Sequence, residues 1–227
     1  MLARVAAVLL AWEPAAAEPP ATVHLLRDAF DLADLEVQEA LVEPVQWLKA
    51  QFGDRLRETR LSDIDGDETS ASLSTWCDTY CVLQWAEIRS SLGAWIADAK
   101  PVFGPAIAAS FELASQLDRR RIADAVARRE HYYRCLQKFL GPHDLICMPT
   151  APTPAPLKGQ PLVRASSGSG YYPRALALTS VAGIGRLPQV SLPLATSAGI
   201  PVGLSLLAGH GRDAFLLEVV QHLGPVG

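Results

Sequence analysis

The sequence predicts an α/β layered domain, and three observations lead there. Leu145 to Met148 is a continuous apolar run, the mark of a strand covered on both faces. Two more strand-like runs, Pro188 to Leu194 and Val202 to Leu207, are followed by a helical pattern from Asp213 to Leu223. Elsewhere the apolar residues recur at a period near about 3.6, so strands alternate with helices.

In chain order, the opening MLARVAAVLLAWEPAAAEPPA imitates a secretory signal. It has one positive charge, an apolar run from Val5 to Trp12, and Ala15-Ala16-Ala17 before Glu18. As a membrane span it is too short, and an amphipathic helix ended by Pro14 fits the same residues. HLLRDAFDLADL reads as a short strand running into a helix. From Val37 the positions Leu41, Val45, Leu48 and Phe52 keep helical spacing, with Pro44 expected to kink the helix and Gly53 to end it. RLRETRLSD reads as a polar edge strand. DIDGDE, residues 63 to 68, superficially resembles a calcium loop, but Ser74 stands where the closing Glu would be, so a solvated turn is expected.

Ser72 or Ser74 can cap the next helix, whose buried side carries Cys77, Cys81, Trp85 (or Gln84), Ile88, Leu92 and Trp95. KPVFGP breaks it. A second long helix is predicted from Arg119 to Leu140, with Ile122, Val126, Tyr133, Leu136 and Leu140 as its stripe and Gly141 as its stop. The buried strand then exits into PTAPTPAP, which cannot continue a ladder. After a Ser/Gly stretch come a short helix from Arg174 to Ala182, the two strands joined by ATSAGIP, and the closing helix with Leu216, Val219 and Leu223 inward.

With 227 residues, 49% hydrophobic and 19% charged, the chain can bury a substantial core. Its net charge of −4, with both signs scattered, argues against a nucleic-acid surface. Cys77, Cys81, Cys135 and Cys147 have apolar neighbours and read as reduced core thiols. With isolated histidines and no CxxC or HxxxH spacing, no metal site is expected.

GPHDLICMPTAPTPAP and LALTSVAGIGRLPQVSLPLATSAGIPVGLSLLAGHGRDAFLLEVVQHL resemble the C-terminal part of amidase signature family enzymes. The similarity runs from about Val23 to Leu223, and LARVAAVLL resembles the helix that follows the catalytic region there. The resemblance implies one amidase-family unit over 1–227, the C-terminal part of an α/β/α sandwich around a mixed sheet. Residues 1–20 are then a helix and linker, and the signal-like look is coincidental, so a cytoplasmic protein is expected. The implied chemistry is amide hydrolysis to acid and ammonia by a Lys–Ser–Ser triad: an attacking serine, a bridging serine, and a neutral lysine as base, with backbone N–H groups holding the oxyanion. It implies neither metal nor organic cofactor.

RASSGSGYYP, residues 164 to 173, poses the question of whether this chain carries that serine loop. The family loop is followed by small residues that open a helix, whereas here Tyr171-Tyr172-Pro173 follow. Lys100, Ser167 and Ser191 form a tempting trio. Lys100 precedes Pro101 at the end of an exposed helix, where a neutral amine is hard to arrange. Ser191 lies on a strand among apolar neighbours. His210, between glycines, has no GxSxG serine to serve, and GHGRD reads as a turn with Asp213 at a helix N-terminus. The stretch therefore reads as a connector, and the catalytic residues of the family are expected upstream of Met1.

What this chain retains, on the resemblance, shapes the acyl pocket. Because ligands of α/β sheets collect where strands end, Pro149, Thr150, Thr153, Gly183 and Ile184 are the expected lining. Trp85 and Trp95 fit a pocket wall or core packing equally. The leading reading is an amidase portion, inert alone, that takes a small-molecule amide when completed by an N-terminal half. An exposed apolar face should then favour self- or partner association. The alternatives are an exported, non-enzymatic binding domain and a hydrolase using Ser167 or Ser191.

Overall fold

The computed structural model describes residues 2–11, 13, 18–66, 71–158 and 170–223. Helix α1 (Leu2–Leu9) lies outside the main layers, with its buried Ala6 against Leu217. Strand β1 (Thr22–Leu26) runs straight into α2 (Arg27–Leu32), as HLLRDAF suggested. The helical spacing after Val37 divides into α3 (Leu35–Ala40) and α4 (Val42–Phe52). The break falls at Leu41, not at Pro44. Pro44 occupies the first turn of α4, where its missing N–H has no helical partner to lose. Gly53, at φ +55°, ends α4 as expected.

After a 3-10 turn at Gly53–Arg55 comes β2 (Leu56–Thr59), the polar edge strand, and then α5 (Leu61–Asp65). The start of DIDGDE is thus helix, not solvated turn. Asp63 Oδ2 accepts from the Arg60 backbone N–H at 2.7 Å, while Ile64 and Asp65 are buried. Gly66, at φ +77°, closes the helix; residues 67–70 lie outside the description.

Ser72, rather than Ser74, caps α6 (Leu73–Ala99) by accepting from the Thr75 N–H. Past KPVFGP, α7 (Pro105–Ser115) forms with proline at its first turn, an element the sequence reading left unassigned. Asp118 caps α8 (Arg119–Phe139). Its inward stripe is Ala125, Tyr132 and Leu136, so the expected stripe is turned by about one residue; Val126 is 45% exposed. Strand β3 (Asp144–Pro149) follows, then α9 (Tyr171–Gly185), longer than predicted at both ends. The hairpin of β4 (Gln189–Ser197) and β5 (Ile200–Ala208) and the closing α10 (Asp213–Leu223) complete the chain.

The strands form one mixed sheet in the order β2-β1-β3-β5-β4. β1 is parallel to β2 and β3, while β5 is antiparallel to β3 and β4. Helices α3, α4 and α10 cover one face, packing on Leu145, Cys147, Leu204 and Leu206. Helices α5, α6, α8 and α9 cover the other, packing on Ile146, Met148 and Leu207. Alternate residues of β3 therefore feed two cores, which is why its run is apolar throughout. The α/β/α sandwich around a mixed sheet is the architecture the sequence predicted.

Candidate functional site at the exit of the central strand

β3 delivers the chain to the end of the sheet, and the polar groups there form one connected cluster. Pro149 pairs with Leu204, and the Thr150 N–H then donates to Gly203 O at 2.9 Å. The Thr150 and Ser205 hydroxyls share a 2.8 Å hydrogen bond, and Gln189 Nε2 donates to Ser205 Oγ at 2.8 Å. Ser191 Oγ lies 3.3 Å from the same Ser205 Oγ. Ser205 is fully buried, whereas Ser191 is exposed, so the cluster runs from core to solvent along the face that carries Leu207.

Gly203 makes this approach feasible. A Cβ there would sit 2.8 Å from Thr150 Oγ1 and 3.0 Å from Thr150 Cβ, closer than carbon atoms pack. Both strands write the cluster as alternation, Gln189-Val190-Ser191 and Gly203-Leu204-Ser205. That period-two pattern was the available signal for Gln189, Ser205 and Gly203, which the sequence reading did not select.

Beside the cluster, the PTAPTPAP exit is held in place. The Asp34 N–H donates to Pro152 O at 2.8 Å, and the Asp34 carboxylate receives the Arg174 guanidinium. Arg174 also reaches Leu32 O at 3.4 Å, which ties the first turns of α9 to the end of α2. Thr153 Oγ1 donates to Pro154 O, and Thr153 lines an open depression with Asp34, Tyr171 and Ser197. Asp34 and Arg174 are 140 residues apart, so no local pattern could pair them.

The five predicted lining residues fall in two places. Pro149, Thr150 and Thr153 stand at the sheet end. Gly183 and Ile184 belong to α9, where a Gly183 Cβ would strike the Tyr80 ring at 2.5 Å and Ile184 is buried in the core. Those two border a separate depression with Tyr80, Gln84 and Arg129, and their evident duty is the close crossing of α6 and α9. Trp85 packs with Val82, Leu83 and Leu117, and Trp95 stacks edge-on with Phe103.

Lys100 caps α6 in the left-handed region at φ +44° and is exposed. The bond Ser191 makes is to Ser205, a neutral hydroxyl that cannot serve as a general base. Ser167 and the rest of the 159–169 stretch lie outside the described residues. His210 Nδ1 meets Arg186 O at 2.9 Å and its ring packs on Tyr133, which suits the turn role expected of it. The cluster can therefore bind and orient a polar group. Among the described residues it brings no activated nucleophile to one.

The amidase family model matches residues 11–217. The chain is 34% identical over 142 residues to Amidase 1 of Oryza sativa subsp. japonica, a match covering 62% of this chain and 32% of that protein. It is 27% identical over 166 residues to a component named translocon at the outer membrane of chloroplasts 64, from Pisum sativum, covering 73% of this chain and 28% of that one. A crystal structure of an amidase superposes at TM-score 0.76 and 24% identity, covering 93% of this chain and 48% of the other. The chain thus spans about a third of the length of the two relatives.

Proposed function

This chain belongs to the amidase family, and from that premise we propose that it is the sheet-completing, acyl-pocket portion of an amide hydrolase, inert by itself. The observation that carries the reading is the polar cluster of Thr150, Gln189, Ser191 and Ser205 at the exit of β3, set on a sheet end and, among the described residues, holding no base bonded to its serines. Its hydroxyls and amide can bond a carboxamide or the acid formed from it, while flanking Pro149 and Thr153 shape the rim. The nucleophile, bridging serine and lysine that the resemblance implies are supplied by a segment whose motifs this sequence does not contain. The substrate of the completed enzyme is a small-molecule amide, cleaved to acid and ammonia without a metal or organic cofactor in the catalytic step. Gly183 and Ile184 act in this reading through the placement of α9.

Cytoplasmic placement belongs to the same proposal. Among the described residues no helix is long and apolar enough to cross a membrane.

The test is fluorophosphonate labelling of the purified chain, together with ammonia release from aryl and aliphatic amides. The expected result is neither labelling nor ammonia. Stoichiometric labelling that disappears in Ser191→Ala or Ser167→Ala would instead establish a hydrolase complete in itself.

A further inference from the structure

On the opposite side of the molecule from the α10 layer, three chemically distinct ligand groups meet where α5 touches α8. His131 and Cys135 are one turn apart on α8 and so share a face. Asp65 is the last residue of α5, and its side chain is 1% exposed. His131 Nε2 lies 2.5 Å from Asp65 Oδ1. Cys135 Sγ lies 3.7 Å from His131 Nε2 and 4.0 Å from Asp65 Oδ1. Asp65 Oδ2 is buried with no hydrogen-bond partner among the described residues. A buried carboxylate oxygen with nothing to bond is unfavourable unless something charged is brought to it.

We propose that Asp65, His131 and Cys135 form a zinc site that fastens α5 to α8. Imidazole nitrogen, thiolate sulfur and carboxylate oxygen form a borderline-soft donor set that suits Zn²⁺ rather than Ca²⁺ or Mg²⁺. Tetrahedral zinc with ordinary bond lengths holds such donors about 3.3 to 3.6 Å from one another. The two sulfur contacts are within half an ångström of that already. The Nε2–Oδ1 contact must open by less than an ångström as the ion replaces the proton between them. On binding, His131 ligates through Nε2 as the neutral ring with its proton on Nδ1, and the Cys135 thiol proton leaves to water, so that one thiolate and one carboxylate balance the two charges of the ion. Asp65 Oδ2 then gains its partner as the carboxylate chelates the ion through both oxygens.

Three protein ligands leave one coordination position, and His131, 53% exposed, sets it toward solvent. The Tyr132 ring lies 5.7 Å from the His131 ring and is itself stacked on Trp76 at 4.6 Å, so the helix turn that carries His131 is braced by the core. The spacing that announces the site is His-x3-Cys, outside the CxxC and HxxxH patterns on which its absence was expected. Asp65 comes from 66 residues earlier and only the fold delivers it.

The experiment is a Co²⁺ and Zn²⁺ titration of the full metal-free chain. Expected are one equivalent bound, a near-ultraviolet thiolate-to-cobalt charge-transfer band, and a zinc-dependent rise in Tm. His131→Gln and Cys135→Ser, both at partly exposed positions, should keep the fold and weaken zinc affinity by at least about tenfold, with the band lost in Cys135→Ser. Asp65→Asn preserves shape and its bond to His131 and should weaken binding likewise. Absence of binding to the wild-type chain would overturn the proposal. So would a band that survives Cys135→Ser and disappears in Cys77→Ser or Cys81→Ser.

Discussion

At the residue scale, Gly203 is where a single atom matters most. Its missing Cβ leaves the space that Thr150 occupies, and Thr150 in turn holds Ser205. Gly203→Ala should lower stability by about 1–3 kcal/mol through overpacking. Thr150→Ala should lower it by about 1 kcal/mol through the lost hydrogen bond. Because both changes disturb one contact, the double variant should lose less than the sum, read by urea unfolding. Strict additivity would mean that the Gly203–Thr150 approach contributes nothing. Burial also pushes the Cys147 thiol far up, so this side chain behaves as a small core hydrophobe, the role expected for it from its apolar neighbours.

At the scale of elements, the β4–β5 hairpin carries a local conflict. Ser197 pairs with Ile200 across a two-residue turn, and both turn residues have positive φ, Ala198 at +47° and Gly199 at +78°. A turn of this kind favours Asn followed by Gly, because an alanine Cβ crowds the following carbonyl in the left-handed region. Ala198→Asn should therefore raise stability by about 0.5–1 kcal/mol, seen as a higher urea midpoint with an unchanged slope. A lower midpoint would show that the turn is held by its flanking strands alone. The same scale explains two misplaced details of the sequence reading. The α8 stripe turned by one residue because the stretch offers apolar or aromatic side chains at both Tyr132 and Tyr133, and contact with Trp76 decided between them. Pro44 was expected to kink a helix, yet the chain broke earlier, so the proline fell where helices accept it.

For the molecule as a whole, His24 links folding to pH. It sits on β1 with its ring on Phe139 and Nδ1 bonded to Thr59, and burial lowers its pKa, with Arg57 adding to that and Asp144 opposing it. The folded protein thus takes up the His24 proton later than the unfolded chain does as pH falls. Stability is intact above the unfolded histidine pKa of about 6.5 and declines as pH drops below it. Urea midpoints at about pH 7.5 and about pH 5.5 should differ, and His24→Gln should narrow the difference. An unchanged difference in that variant would assign the decline to other groups. Apolar side chains left exposed on α1, α6 and α7, among them Val8, Trp95 and Ile107, are where association would begin if the chain is completed by another segment.

By itself the sequence determined the layered α/β architecture, the two-faced burial of β3 and the starts of α6, α8 and α10, and its C-terminal motifs carried the resemblance to the family. The architecture and these helix starts follow from periodicity, caps and turn residues, which act within a few positions along the chain, whereas the family was legible in the long ordered match of the C-terminal motifs. It also placed Thr150 and Thr153 at the sheet end, since a proline-rich exit from a buried strand has few other places to go. Only the tertiary structure decided that Ser205, Gln189 and Ser191 join Thr150, that Asp34 meets Arg174, and that Asp65 meets His131 and Cys135. Those partners are brought together by strand order and helix crossing, and no local rule couples residues that only the packed core makes neighbours.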